Sequence, residues 1–135
     1  MKVLMDTGPW VALLDRSEDR HGECVKWLEK FKGELFSTEA VLTEVLYLLN
    51  FSLIAQKAAL DFILTGAIIL VPSSIDSLTK AKKLMEKYRD CPMDFADATL
   101  VTLAQDLSIE NIVSFDRKHF SIYRFFKTRS FTVLP

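Results

Sequence analysis

The chain has 135 residues, with 17 basic and 18 acidic side chains, a net charge of −1, 50% apolar residues and a mean hydropathy of +0.17. This length fits one domain, 1–135, that buries a core without covalent staples. So high an apolar fraction calls for a sheet covered on both faces or for apolar surface kept for a partner. Cys24 and Cys91 lie far apart in no C-x-x-C pair, and read as reduced thiols of a cytosolic protein. Asp6 and Asp15 interrupt the apolar N-terminus and no A-x-A cleavage site follows, which argues against a signal peptide. The apolar stretch 67–72 is too short to span a bilayer, so a soluble cytoplasmic protein is expected.

Val3-Leu4-Met5 has no polar alternation and reads as a short strand buried on both faces, with Asp6 at its C-terminal end. In open parallel sheets that edge is where ligands bind. Thr7-Gly8-Pro9 turns the chain, with Thr7 able to cap and Pro9 suited to the first turn of a helix from Trp10 to Leu14. A second helix, 19–32, places Cys24, Val25, Leu28 and Phe31 on one side and stops at Gly33. Glu34-Leu35-Phe36 is extended, a helix runs over 38–51, and another runs from Leu53 to Thr65, ending at Gly66.

A strand over 67–71 is closed by Pro72. The helix over 74–87 points Ile75, Leu78, Ala81, Leu84 and Met85 inward and its lysines mostly outward. A loop at 89–92 precedes helix 94–106 because the residue before proline disfavours helix. Strand 112–115 leads to Asp116, and 131–134 adds one more strand. Strands alternating with helices at these spacings predict an α/β sandwich with a mostly parallel sheet of four or five strands and helices on both faces.

Four acids occupy unusual settings. On helix 38–51, Glu44 shares its side with Ala40, Val41, Tyr47, Leu48 and Phe51. On helix 94–106, Asp97 groups with Met93, Leu100, Val101 and Ala104. Asp6 and Asp116 each follow a buried strand, and adjacent strands would make them neighbours. Asp94 fits either a helix cap or a further ligand. Carboxylates gathered from four parts of one domain need a cation, and an all-oxygen donor set favours Mg²⁺ or Mn²⁺, one or two ions. Such ions activate water for attack on a phosphodiester. Ser114 is a plausible supporting hydroxyl.

Charge is unevenly spread: residues 1–116 hold 12 bases and all 18 acids, a net −6, whereas 117–135 hold five bases and no acid. This basic end is either a phosphate-facing surface or a solvated tail. Phe120, Tyr123, Phe125 and Phe126 are the candidates for contacting bases, interleaved with Arg117, Lys118 and Arg124 as candidates for RNA binding. His21 and His119 have no H-E-x-x-H spacing and read as surface or structural residues. Neither a P-loop nor a dinucleotide fingerprint nor a G-x-S-x-G elbow is present.

The segments V-L-M-D-T-G-P, T-E-A-V-L-T-E-V-L-Y-L-L, P-M-D-F-A-D-A-T-L-V-T-L-A and I-V-S-F-D-R-K-H-F together resemble the PIN-domain family, in its VapC-like, PilT N-terminal group. The resemblance implies a three-layer α/β/α sandwich and a Mg²⁺- or Mn²⁺-dependent endoribonuclease. It also implies a toxin of a toxin–antitoxin pair, inhibited by a small antitoxin protein and acting as a homodimer. Carried over by position, the catalytic and metal-binding acids are Asp6, Glu44, Asp97 and Asp116, with Asp94 as an additional metal acid and Thr7 and Ser114 supporting them. Two other readings remain. A phospho-receiver domain would need an acceptor Asp after the middle strand, where Pro72-Ser73-Ser74 stands. A non-catalytic binding module would use the apolar helices 38–51 and 53–65 as a partner surface.

Overall fold

A computed structural model describes residues 1–135. Five parallel strands form the central sheet: β1 (Lys2–Met5), β2 (Glu34–Thr38), β3 (Ile68–Val71), β4 (Asn111–Val113) and β7 (Thr132–Leu134), in the order β3-β2-β1-β4-β7. The register pairs Leu4 with Phe36 on one side and with Ile112 on the other. β1 is therefore central, which is why Val3, Leu4 and Met5 are all apolar and fully buried.

Chain order runs from β1 outward to β3, then returns across β1 to β4. The strand order thus reverses between β1 and β4, and the crevice there opens at the strands' carboxyl ends. Helices α1 (Thr7–Leu14), α2 (His21–Lys30), α3 (Glu39–Leu48) and α4 (Leu53–Leu64) pack together, and α5 (Ile75–Lys87) packs along α6 (Phe95–Leu107). The chain ends with a short helix α7 (Arg117–Phe120) and a two-stranded ribbon, β5 (Arg124–Phe125) with β6 (Arg129–Ser130). The sheet is wholly parallel, and the three-layer expectation holds.

Three expectations need correction. In α3 the buried face is Val41, Val45 and Leu49, whereas Tyr47 is 72% exposed and Leu48 and Phe51 are also open. The helix is apolar on nearly every side, so the wheel alone could not choose the face. On α5, Ala81 is buried but Ile75, Leu78 and Met85 are exposed, because the helix packs chiefly along α6 and its other sides stay open. Phe120, Tyr123 and Phe125 are fully buried and pack, with Phe131, ring against ring at centroid distances of 5.0–5.5 Å; they are core, not base-stacking platforms.

The buried and open faces of α3 predict different stabilities. Leu49→Ala should lower the unfolding free energy of the isolated chain by about 2–5 kcal/mol by leaving a cavity. Tyr47→Ser should stay within about 0.5 kcal/mol of wild type. Chemical denaturation of both variants checks the assignment, and equal losses would contradict it.

Candidate active site

Asp6 ends β1 and caps α1: its Oδ1 accepts the Thr7 backbone N–H at 2.8 Å. Its own N–H donates to the Val113 carbonyl at 3.0 Å, tying the two strand ends together. Gly8 follows because a Cβ there would lie 2.8 Å from the Phe115 ring, too close to fit without displacing it. Pro9 then occupies the first turn of α1, where its missing N–H costs nothing.

From Asp6 a chain of hydroxyls runs to the other acids. Ser114 Oγ donates to Asp6 Oδ2 at 2.6 Å and accepts the Asp116 backbone N–H at 3.0 Å. On the other side, Thr7 Oγ1 donates to Glu44 Oε2 at 3.0 Å. At the start of α6, Asp94 Oδ1 accepts the Asp97 N–H at 2.9 Å, so Asp94 is a cap. Its charge still bears on both Glu44 and Asp97. Between the starts of α3 and α6 lies an opening of about 420 Å³ lined by Ala40, Thr43, Glu44, Asp94, Phe95 and Ala96.

Electrostatics mark these acids as unsatisfied. Burial, reinforced by Glu44 and Asp116, pushes Asp6 up to about 6 despite its two hydrogen bonds. Burial and the charges of Asp94, Asp6 and Asp116 push Asp97 up to about 7. Burial raises Glu44 as well. No basic side chain lies within 4 Å of Asp6, Glu44, Asp94 or Asp97. No three acidic, histidine or cysteine side chains converge on one ligating point, so the like charges face one another at a distance rather than in a closed shell. An all-oxygen set of carboxyls with raised pKa values and no protein cation beside Asp6, Glu44 or Asp97 is a donor set suited to a hard divalent ion.

Two residues near the acids were not singled out as part of the site by sequence. His119 Nδ1 lies 2.9 Å from both Asp116 oxygens, and its backbone N–H donates to Asp116 Oδ1 at 3.1 Å. Opposite a carboxylate that Nδ1 carries the hydrogen. The signal was its place three residues after Asp116, one turn on. Tyr123 OH donates to Asp97 Oδ2 at 3.2 Å, and its ring stacks on His119 at 6.0 Å. The acidic neighbours and burial of Tyr123 raise its phenol well above the ordinary range. His21 is structural, its Nδ1 bonded to the Ala12 carbonyl at 2.6 Å.

Of the basic residues, the Arg117 guanidinium donates to the Val133 and Pro135 carbonyls, and Arg124 Nη1 donates to those of Ser121, Ile122 and Tyr123. Lys118 is exposed.

The PIN domain family profile matches residues 3–125, and the chain belongs to that family, as a VapC-like member. Ribonuclease VapC26 of Mycobacterium tuberculosis (strain ATCC 25618 / H37Rv) is 28% identical, over 98% of this chain and 100% of the relative. The crystal structure of Mycobacterium tuberculosis VapC20, described as a Sarcin-Ricin loop cleaving toxin, superposes with a TM-score of 0.83 at 25% identity, covering 94% of this chain and 98% of that one. VapBC2 from Rickettsia felis, bound to a DNA fragment from its promoter, shares the fold at a TM-score of 0.69 and 14% identity, over 100% of both chains.

The raised carboxyl pKa values fix a pH dependence. Asp6 and Asp97 titrate at about 6 and about 7 when folded but near 3.8 when unfolded. Between those values the folded chain holds more protons, so metal-free stability is full below about pH 4 and falls as pH rises through 7. Asp97→Asn should therefore be more stable than wild type above pH 7 by about 1–3 kcal/mol, after allowance for the water that reaches the carboxyl, and the gain should vanish near pH 4. Thermal melts across pH in EDTA check this. Carboxyl NMR should show the Asp97 titration moving higher in Tyr123→Phe, which loses a donor to the charged form.

Proposed function

We propose that this protein is a Mg²⁺- or Mn²⁺-dependent endoribonuclease and the toxin of a VapBC-type pair, with Asp6, Glu44, Asp97 and Asp116 as its catalytic acids. The VapC-class ribonuclease activity rests on the family match and on the likeness to VapC26 and VapC20. One observation of the site carries the chemistry: buried carboxyls raised to about 6 and about 7 with no basic side chain beside them.

Asp6, Glu44, Asp97 and Asp116 would hold one or two ions between them, drawing closer together than they stand in the metal-free chain, and Asp94 adds negative charge beside them. Bound there, the metal supplies an activated water and positive charge for the leaving oxygen of a phosphodiester. Ser114 and Thr7 fix the rotamers of Asp6 and Glu44 by donating one hydrogen each. Tyr123 and His119 do the same for Asp97 and Asp116. With its pKa raised to about 7, Asp97 would give up a proton more readily once a cation was bound beside it.

An antitoxin protein and a second copy of the chain are the expected partners. The open apolar face of α3 and α4, with Tyr47, Phe51, Leu53, Ile54 and Leu64, supports both. No helix is long and apolar enough to cross a membrane.

The test is cleavage of a mixed structured-RNA pool. Wild type should cut with Mg²⁺ or Mn²⁺ and not in EDTA, and Asp6→Asn or Asp97→Asn should lower the rate by at least about 100-fold. A variant cutting at the wild-type rate would remove that residue from the site. Ser114→Ala should weaken Mn²⁺ binding, read by electron paramagnetic resonance, by about 10–100-fold, because Asp6 and Asp116 lose the hydroxyl that orients them.

A further inference from the structure

Between α5, the C-terminal half of α6 and the turn joining β5 to β6 lies an open groove of about 460 Å³. Lys80, Lys83 and Lys87 line it from α5, Gln105 from α6, and Arg124 and Lys127 from the ribbon; no acid lines it. Lys80 is neutralised by Asp76 at 3.1 Å and Asp106 at 2.6 Å. Lys83, Lys87, Arg124 and Lys127 have no carboxylate within 4 Å. The three α5 lysines follow i, i+3, i+7 spacing, which sets them in one row.

The ribbon is built to hold its cations here. Phe126 and Lys127 adopt left-handed backbone, φ 47° and 66°, where glycine or asparagine would sit at ease. Such a conformation costs about 1–2 kcal/mol per residue. Arg124 is pinned at both ends: its N–H donates to the Tyr88 hydroxyl at 2.9 Å, and its Nη1 bonds three carbonyls at 2.7–3.1 Å. Those carbonyls orient the guanidinium without cancelling its charge.

We propose that this groove binds the phosphate backbone of the RNA whose scissile bond lies at the acidic cleft; the proposal rests on the ribonuclease reading. Four mutually repelling cations are stabilised by a polyanion, and an acidic cleft alone repels one. Gln105 lies eight residues beyond Asp97 on α6, which is about 12 Å along the helix and about 80° round it.

The test is fluorescence anisotropy of a long labelled single-stranded RNA, titrated with the full chain in EDTA at several KCl concentrations. Wild type is compared with Lys83→Gln/Lys87→Gln, with Lys127→Gln, and with Lys57→Gln as a remote control. Each groove lysine lost should reduce the slope of log affinity against log salt by about 0.7, so about 1.4 for the double variant, with the control unchanged. A double variant with wild-type slope and affinity overturns the groove, whether or not it binds an acidic protein instead. So does a wild type that cuts RNA with metal but binds none in EDTA. In both cases metal-dependent cutting by the same preparation leaves the ribonuclease reading standing. If wild type neither binds nor cuts RNA, both readings fall.

Discussion

The molecule turns on carboxyl groups brought together without a protein cation between them. Asp6 and Asp97 come from elements 91 residues apart in sequence, yet the charge of Asp6 helps hold the Asp97 carboxyl above its ordinary pKa. What holds them is a set of hydroxyls. Ser114, Thr7 and Tyr123 each donate one hydrogen to a carboxyl oxygen and carry no charge. A lysine or arginine in their place would have lowered the carboxyl pKa values and cancelled the negative field. A hydroxyl fixes geometry and leaves the negative charge in place.

The sheet order makes this arrangement possible. Because β4 lies beside β1, the ends of two buried strands meet, and Asp6 bonds Val113 through its backbone while Ser114 reaches its side chain. The segment after Asp116 then closes the cleft from behind. Arg117 bonds the carbonyls of Val133 and Pro135, His119 clasps Asp116, and Tyr123 reaches Asp97 from within an aromatic cluster. A stretch that is basic by composition thus spends two of its arginines on backbone carbonyls and its aromatic rings on the core.

The strands were legible where burial leaves no choice: Val3-Leu4-Met5 is apolar throughout because a central strand has no open face. Asp97 was legible because an acid on an apolar stripe stands out. α3 was not, because apolar residues surround it: Glu44 is near the cleft as expected, but Tyr47, Leu48 and Phe51 point outward. The ribbon was hidden for a different reason. Each strand has two residues, and the turn takes left-handed backbone at Phe126 and Lys127 rather than at the glycine or asparagine that would announce it. Asp94 was ambiguous by nature, since a residue that caps a helix can also face an acid cluster, and it does both.

Opposite fields on so small a chain need physical separation. At physiological salt the Debye length is about 8 Å, shorter than the roughly 12 Å along α6 between Asp97 and Gln105. Each field is therefore largely screened from the other through water. Lys80 sits at the groove's edge with Asp76 and Asp106, where paired charges blunt the boundary. Neither set neutralises the other inside the free protein: Asp6, Glu44 and Asp97 have no basic partner, and Lys83, Lys87 and Lys127 have no carboxylate within 4 Å. A net charge near zero, read from composition alone, conceals that division. The chain keeps Asp94 and Asp97 at the start of α6 and gathers unpaired bases about the other end.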